Sequence, residues 1–217
     1  MSLVQRKPRP LSKDAVSLRD DRLFIVACDD TYAPKQYFDF FRITRVRVHV
    51  VPTTDGSSVA ERVLDRLLAT EYEPDDQRWM LLDTDHTTRG EHLRSFTEAM
   101  RRARQSGIQV AISKPCFELW LLLHHVDQGA VLSLTNARKV EEALRTQLGT
   151  YDKRQLEEAH YPLHSVVQAC QRAEALDLTV EGGEIPESNT SRVYLLWKAI
   201  VSKALASQLP PELQCLL

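Results

Sequence analysis

A chain of 217 residues with 43% hydrophobic and 27% charged side chains suits one α/β domain with a sizeable core, alone or with a helical annex. A formal net charge of -2 argues against nucleic-acid binding through a bulk positive field, although a local basic groove remains allowed. No apolar run reaches the roughly 18 residues of a membrane span, and no secretory signal opens the chain, so membrane association is not expected.

Residues 1–21, with Arg6, Lys7, Pro8, Arg9 and Pro10, lack apolar periodicity and read as a flexible basic arm. From residue 22, strand-like and helix-like segments alternate. "LFIVAC" (23–28) is a continuous apolar run of the kind a buried parallel strand shows. "PKQYFDFFRI" places Tyr37, Phe38 and Phe41 at helical spacing, and "RVRVHVV" (45–51) alternates like a half-exposed strand. "SSVAERVLDRLLA" predicts a helix with a serine cap, and "RWMLLDTD" (78–85) a third strand. "EHLRSFTEAMRRARQSG" is a helix closed by Gly107, and "IQVAIS" (108–113) a fourth strand. Pro115 then suits the first turn of a helix running through His124. After residue 130 the strand signal fades, and "NARKVEEALRTQL", "YPLHSVVQACQRAEAL" and "TSRVYLLWKAIVSKAL" all have helical spacing. The expectation is an α/β core over 22–125, a parallel sheet of about four strands flanked by helices, followed by a helical extension over 126–217 packed on it.

The four cysteines, Cys28, Cys116, Cys170 and Cys215, are too scattered for a disulfide scaffold or a structural zinc site. They read as reduced thiols in a cytoplasmic protein, with Cys116 a buried packing residue. No glycine-rich phosphate loop of either common type is present, which weakens a nucleotide-binding reading.

In an open α/β sheet, ligands bind beyond the carboxyl ends of the strands. The first strand ends in Asp29 and Asp30, the second is followed by Asp55, the third ends in Asp83, Asp85 and His86, and the fourth in Ser113 and Lys114. Carboxylates so placed suit a hard divalent cation, Mg²⁺ or Mn²⁺, which takes oxygen ligands and substrate phosphates. Strand-end aspartates also cap helices and form turns; Asp55, before a glycine, reads as turn-forming and His86 as a solvated loop residue. Arg42, Arg45 and Arg47 fall at the opposite end of the sheet and read as a solvated face.

The order "C-D-D-T-Y-A-P-K-Q-Y-F", then "L-L-D-T-D-H", then "V-A-I-S-K-P-C-F-E-L-W-L-L-L-H-H" resembles the RloB family of small bacterial proteins. The third motif is by far the most specific, while "YDK" (151–153) and "SNTSRVYLLW" (188–197) look like degraded versions of later ones. The resemblance implies a Toprim-related, Rossmann-like fold and metal-dependent phosphodiester chemistry on RNA or DNA, in defence against phage, beside an ATPase partner. By position it implies that Asp83 and Asp85 are the metal-binding pair and that Asp29 stands where a general acid or base, normally glutamate, would be. Help to the metal from Asp29 or Asp30 is the expectation from the strand ends. Glu118 and Lys114 would support the site, Lys114 by stabilising charge in the transition state.

The departures define a competing expectation. "C-D-D-T" replaces "C-E-G-E", drawing the carboxylate back by one methylene, and "S-K-P" replaces "S-N-P". A catalytically silent binding or sensor subunit docked on a partner would show the same changes. Glu118, the single carboxylate in a run of leucines and aromatics, is expected to face the crevice, paired with Lys114 or a later residue such as Arg192.

Overall fold

A computed structural model describes residues 21–30, 32–53, 59–85 and 90–217 of the chain. Four parallel strands, β1 (Arg22–Cys28), β2 (Val46–Val50), β3 (Gln77–Asp83) and β4 (Gln109–Lys114), form where the apolar runs lie. They stand in the order β2-β1-β3-β4, and a two-residue strand β5 (Thr190–Ser191) pairs antiparallel with β4. This fifth strand comes from the region expected to be helical; two residues leave no periodicity to read. The N-terminal arm, Asp55, His86 and the proposed serine cap lie outside the described residues.

Successive side chains of a strand point to opposite faces. Phe24, Val26, Cys28, Trp79 and Leu81 therefore belong to one apolar layer, and Ile25, Ala27, Met80 and Leu82 to the other. The second layer is covered by α2 (Ala60–Leu68) and α3 (Gly90–Gln105), through Val63, Leu64, Leu67, Phe96 and Met100. Gly107, at a φ of +70°, closes α3 before β4, as its place after the helical run predicts.

The first layer is thicker. It takes α1 (Ala33–Asp39), α4 (Glu118–Leu123), α6 (Ala137–Leu148), α7 (Leu163–Asp177) and α8 (Val193–Lys203), with the short α5 (Gln128–Val131) between. Asn136 caps α6 by accepting the Lys139 N–H at 3.0 Å. Every residue of α4 is buried, because it touches β4 and β5 as well as α6 and α7. A helix apolar all round is one that is enclosed. It begins at Glu118, so Pro115 lies ahead of it rather than in its first turn; the Lys114–Pro115 bond is cis.

Tyr37 stands at the centre of this layer, with edge contacts to Phe38, Phe41, Phe117, Trp120, His124, Tyr161 and Trp197. Its hydroxyl accepts from Trp197 Nε1 at 3.1 Å and lies 3.0 Å from His124 Nε2. His124 Nδ1 is 2.8 Å from Ser165 Oγ, which donates to the Pro162 carbonyl at 2.7 Å. One set of directions satisfies all four contacts: indole to tyrosine, tyrosine to Nε2, Nδ1 to serine, serine to carbonyl. That requires a neutral imidazole, and burial holds the His124 pKa well below its usual range. The relay thus ties α1, α4, α7 and α8 together.

Tyr37→Phe keeps the ring contacts but strands the Trp197 donor and the His124 acceptor. The expected loss is about 1–3 kcal/mol of unfolding free energy, read by urea denaturation.

Candidate functional site

In the order β2-β1-β3-β4, the winding reverses between β1 and β3, so the carboxyl ends of those two strands flank a crevice at the switch point. Asp29 follows β1 and Asp83 ends β3. Asp29 spans the gap: its Oδ2 accepts the Asp83 N–H at 2.8 Å and its Oδ1 accepts the Asp30 N–H at 3.0 Å. Asp30 in turn accepts the Tyr32 N–H at 2.7 Å, forming the turn that leads into α1. The backbone of Thr84 and Asp85 is tied to the Pro115 carbonyl, at 3.0 and 3.1 Å, which fixes the end of β3 against the segment entering α4.

The crevice, about 190 Å³, is lined by Asp29, Asp30, Tyr32, Asp83, Asp85, Cys116, Glu118, Ala137, Glu141 and Lys153. Five of the six residues singled out in the sequence therefore meet in one place. Lys114 is the exception: its Nζ donates to the Pro186 carbonyl at 2.9 Å and it does not line the crevice. The basic side chain that does is Lys153, from the loop after α6. Arg42, Arg45 and Arg47 surround a separate hollow by the start of β2.

Glu118 faces the crevice as expected, but its partner is neither Lys114 nor Arg192. Arg192 is engaged by Asp177 at 2.9 Å and by the carbonyls of Gly183 and Glu184. Glu118 instead accepts the Tyr151 hydroxyl at 2.9 Å, and also the Cys116 thiol. Cys116 is buried, and burial together with the Glu118 charge pushes its thiol far up, so it packs rather than reacts.

Tyr151 and Lys153 belong to the "YDK" stretch, whose composition carries a motif-like signal but no hint of its target. The loop is pinned by Gln36 of α1. Its Nε2 donates to the Lys153 carbonyl at 2.9 Å and to the Tyr32 carbonyl at 3.2 Å, while its Oε1 accepts the Leu156 N–H at 2.9 Å. No spacing rule could have paired Gln36 with residues so far along the chain.

Six carboxylates and one lysine line the crevice among the described residues. Desolvation and mutual repulsion raise the proton affinity of the deepest. Desolvation chiefly, aided by the Asp85 and Asp30 charges and opposed by the two amide hydrogen bonds, pushes Asp29 up to about 7. Asp83 is raised by desolvation and then by the Asp29 and Glu118 charges, and Glu118 by desolvation and then by Asp30. A carboxylate cluster short of countercharge behaves this way, and a divalent cation would relieve it. The donor set, all carboxylate oxygen, fits Mg²⁺ or Mn²⁺ chemically. Among the described residues no group of three or more His, Cys, Asp or Glu side chains is arranged to hold an ion directly. Mg²⁺ commonly takes only one or two carboxylates and fills its shell with water and phosphate oxygens.

The family model for RloB-like proteins matches residues 24–200. The chain belongs to the RloB-like family. No curated protein and no solved structure gives a significant match. The matched span contains every residue that lines the crevice, Tyr32 and Lys153 included. Among the described residues, no helix is long and apolar enough to cross a membrane.

The raised Asp29 pKa has a definite sign in stability. The folded state holds the proton up to about pH 7, whereas the unfolded chain releases it near pH 3.9. The protonated carboxyl therefore stabilises the fold below about pH 4, and this contribution is lost as pH rises through 7. Asp29→Asn cannot titrate. In EDTA, the unfolding free energy of the natural protein relative to this variant should fall between pH 4 and 7 and level off above; a rise would contradict the assignment.

Proposed function

We propose that this RloB-like chain is a divalent-cation-dependent nuclease, acting in defence against phage with an ATPase partner. The observation that carries the catalytic part is the convergence of Asp29, Asp83, Asp85 and Glu118 on one crevice at the switch point of the sheet. The defence role and the partner draw support from the family resemblance alone.

In this reading Asp83 and Asp85 would hold the cation, with help from Asp30. When bound, Mg²⁺ would polarise a phosphoryl oxygen and make water a stronger nucleophile at neutral pH. Asp29, with a pKa near 7 and a position fixed by two amides, is suited to take or give a proton at its carboxyl. Glu118 holds Tyr151 and through it the Lys153 loop. Lys153 would supply the positive charge that was expected of Lys114, since it lines the crevice while Lys114 is drawn to Pro186.

One observation favours the alternative of a silent binding subunit. Both Asp29 oxygens accept backbone amides, so this shorter carboxylate has become a clasp between β1 and β3. The two readings separate on metal binding and turnover. Isothermal titration of Mg²⁺ and Mn²⁺ should show binding to the natural protein that weakens at least tenfold in Asp83→Asn, Asp85→Asn. Equal binding by both proteins would remove these residues from the mechanism. On labelled RNA and DNA, with and without EDTA, Asp29→Asn should slow cation-dependent cleavage by about 10²-fold or more.

A further inference from the structure

Tyr32 is the exposed aromatic on an otherwise acidic rim: 43% of it faces solvent, while Tyr37 and Phe38, one turn along α1, are buried. Its backbone is held on both sides. The N–H is fixed by Asp30, and the carbonyl accepts both the backbone N–H and the side-chain Nε2 of Gln36, each at 3.2 Å. Through the same Nε2, Gln36 holds the Lys153 carbonyl. One amide therefore anchors two points on the crevice lining, one bearing an aromatic ring and the other an ammonium group. The Arg154 guanidinium lies over the Tyr32 ring, 5.5 Å from its centroid, so a base stacking on Tyr32 would use the ring's other face with a cation at its back.

An aromatic face beside a cation is the pairing that takes a nucleobase and its phosphate. The bases of a duplex are stacked on each other and cannot stack on a side chain; those of a single strand can. We propose that Tyr32 stacks an unpaired base at the mouth of the crevice while Lys153 takes an adjoining phosphate, so that the nucleic acid bound is single-stranded. This rests on the crevice being the nucleic-acid site. Gln36 is a positioning residue, fixing where ring and ammonium are anchored.

The test is fluorescence anisotropy with a labelled thymidine oligonucleotide and a blunt duplex of equal length, in Ca²⁺ buffer and at two salt concentrations. The natural protein should prefer the single strand. Tyr32→Ala should weaken single-strand binding on the order of tenfold while leaving duplex binding unchanged, and Tyr32→Phe should retain it. Lys153→Gln should lower the slope of log affinity against log salt by about 0.7, the share of one phosphate on a single strand. Equal or tighter duplex binding, an unaltered Tyr32→Ala variant, or no binding of either probe would overturn the proposal. Metal titration decides the nuclease reading separately. Mg²⁺ binding without a single-strand preference sinks only the present inference, and Tyr32-dependent strand binding without Mg²⁺ binding sinks only the nuclease.

Discussion

Gathering carboxylates at one point of a fold is possible only if something replaces the water they lose. Here the replacement is local and specific. Asp29 receives two main-chain amides, Glu118 a tyrosine hydroxyl and a thiol, and Asp30 the amide of Tyr32. These contacts hold the ends of β1 and β3 together beyond the last pair of the ladder, and they tie residues at the starts of α1 and α4 to the same crevice. The arrangement leaves the cluster short of positive charge, with Lys153 alone to offset it among the described lining residues. A bound cation would relieve the same shortage.

The thick layer on one face of the sheet has a comparable logic. An aromatic cluster this large would pack in many ways if it were purely apolar. The relay from Trp197 through Tyr37 and His124 to Ser165 permits one. Each member has a single donor direction, so the helices that carry them must meet in a fixed order. The C-terminal helices are thereby part of the site's foundation, since Tyr151, Lys153 and Glu141 all come from beyond residue 126.

The parallel strands and their flanking helices were legible because apolar runs and turn residues repeat with the periods of those elements. The acidic side of the site was legible too, since Asp29, Asp30, Asp83 and Asp85 sit at strand ends, where position in the fold follows from position in the sequence. The partners of these groups were not. Lys114 is as close to the crevice along the chain as any cation could be, yet it lies on the strand beside β5 and is drawn to Pro186. Lys153, Tyr151 and Gln36 meet the site through tertiary packing, which no local pattern encodes. Glu118 shows both sides of this: its burial follows from the leucines around it, while its partner, Tyr151, lies 33 residues away.

The two edges of the sheet end differently. On one side β4 is closed by a strand of only two residues, running straight into α8, which leaves little backbone for another chain to pair with. On the other, β2 pairs with β1 and turns Arg47 and His49 outward, with Arg42 and Arg45 exposed beside them. Charged edges and very short edge strands both resist the edge-to-edge pairing that begins aggregation. A sheet whose middle strands are almost wholly apolar is thus kept from polymerising by a few polar residues at its margins, far from any chemistry. Neutralising Arg42, Arg45 and Arg47 would expose that hazard without touching the crevice.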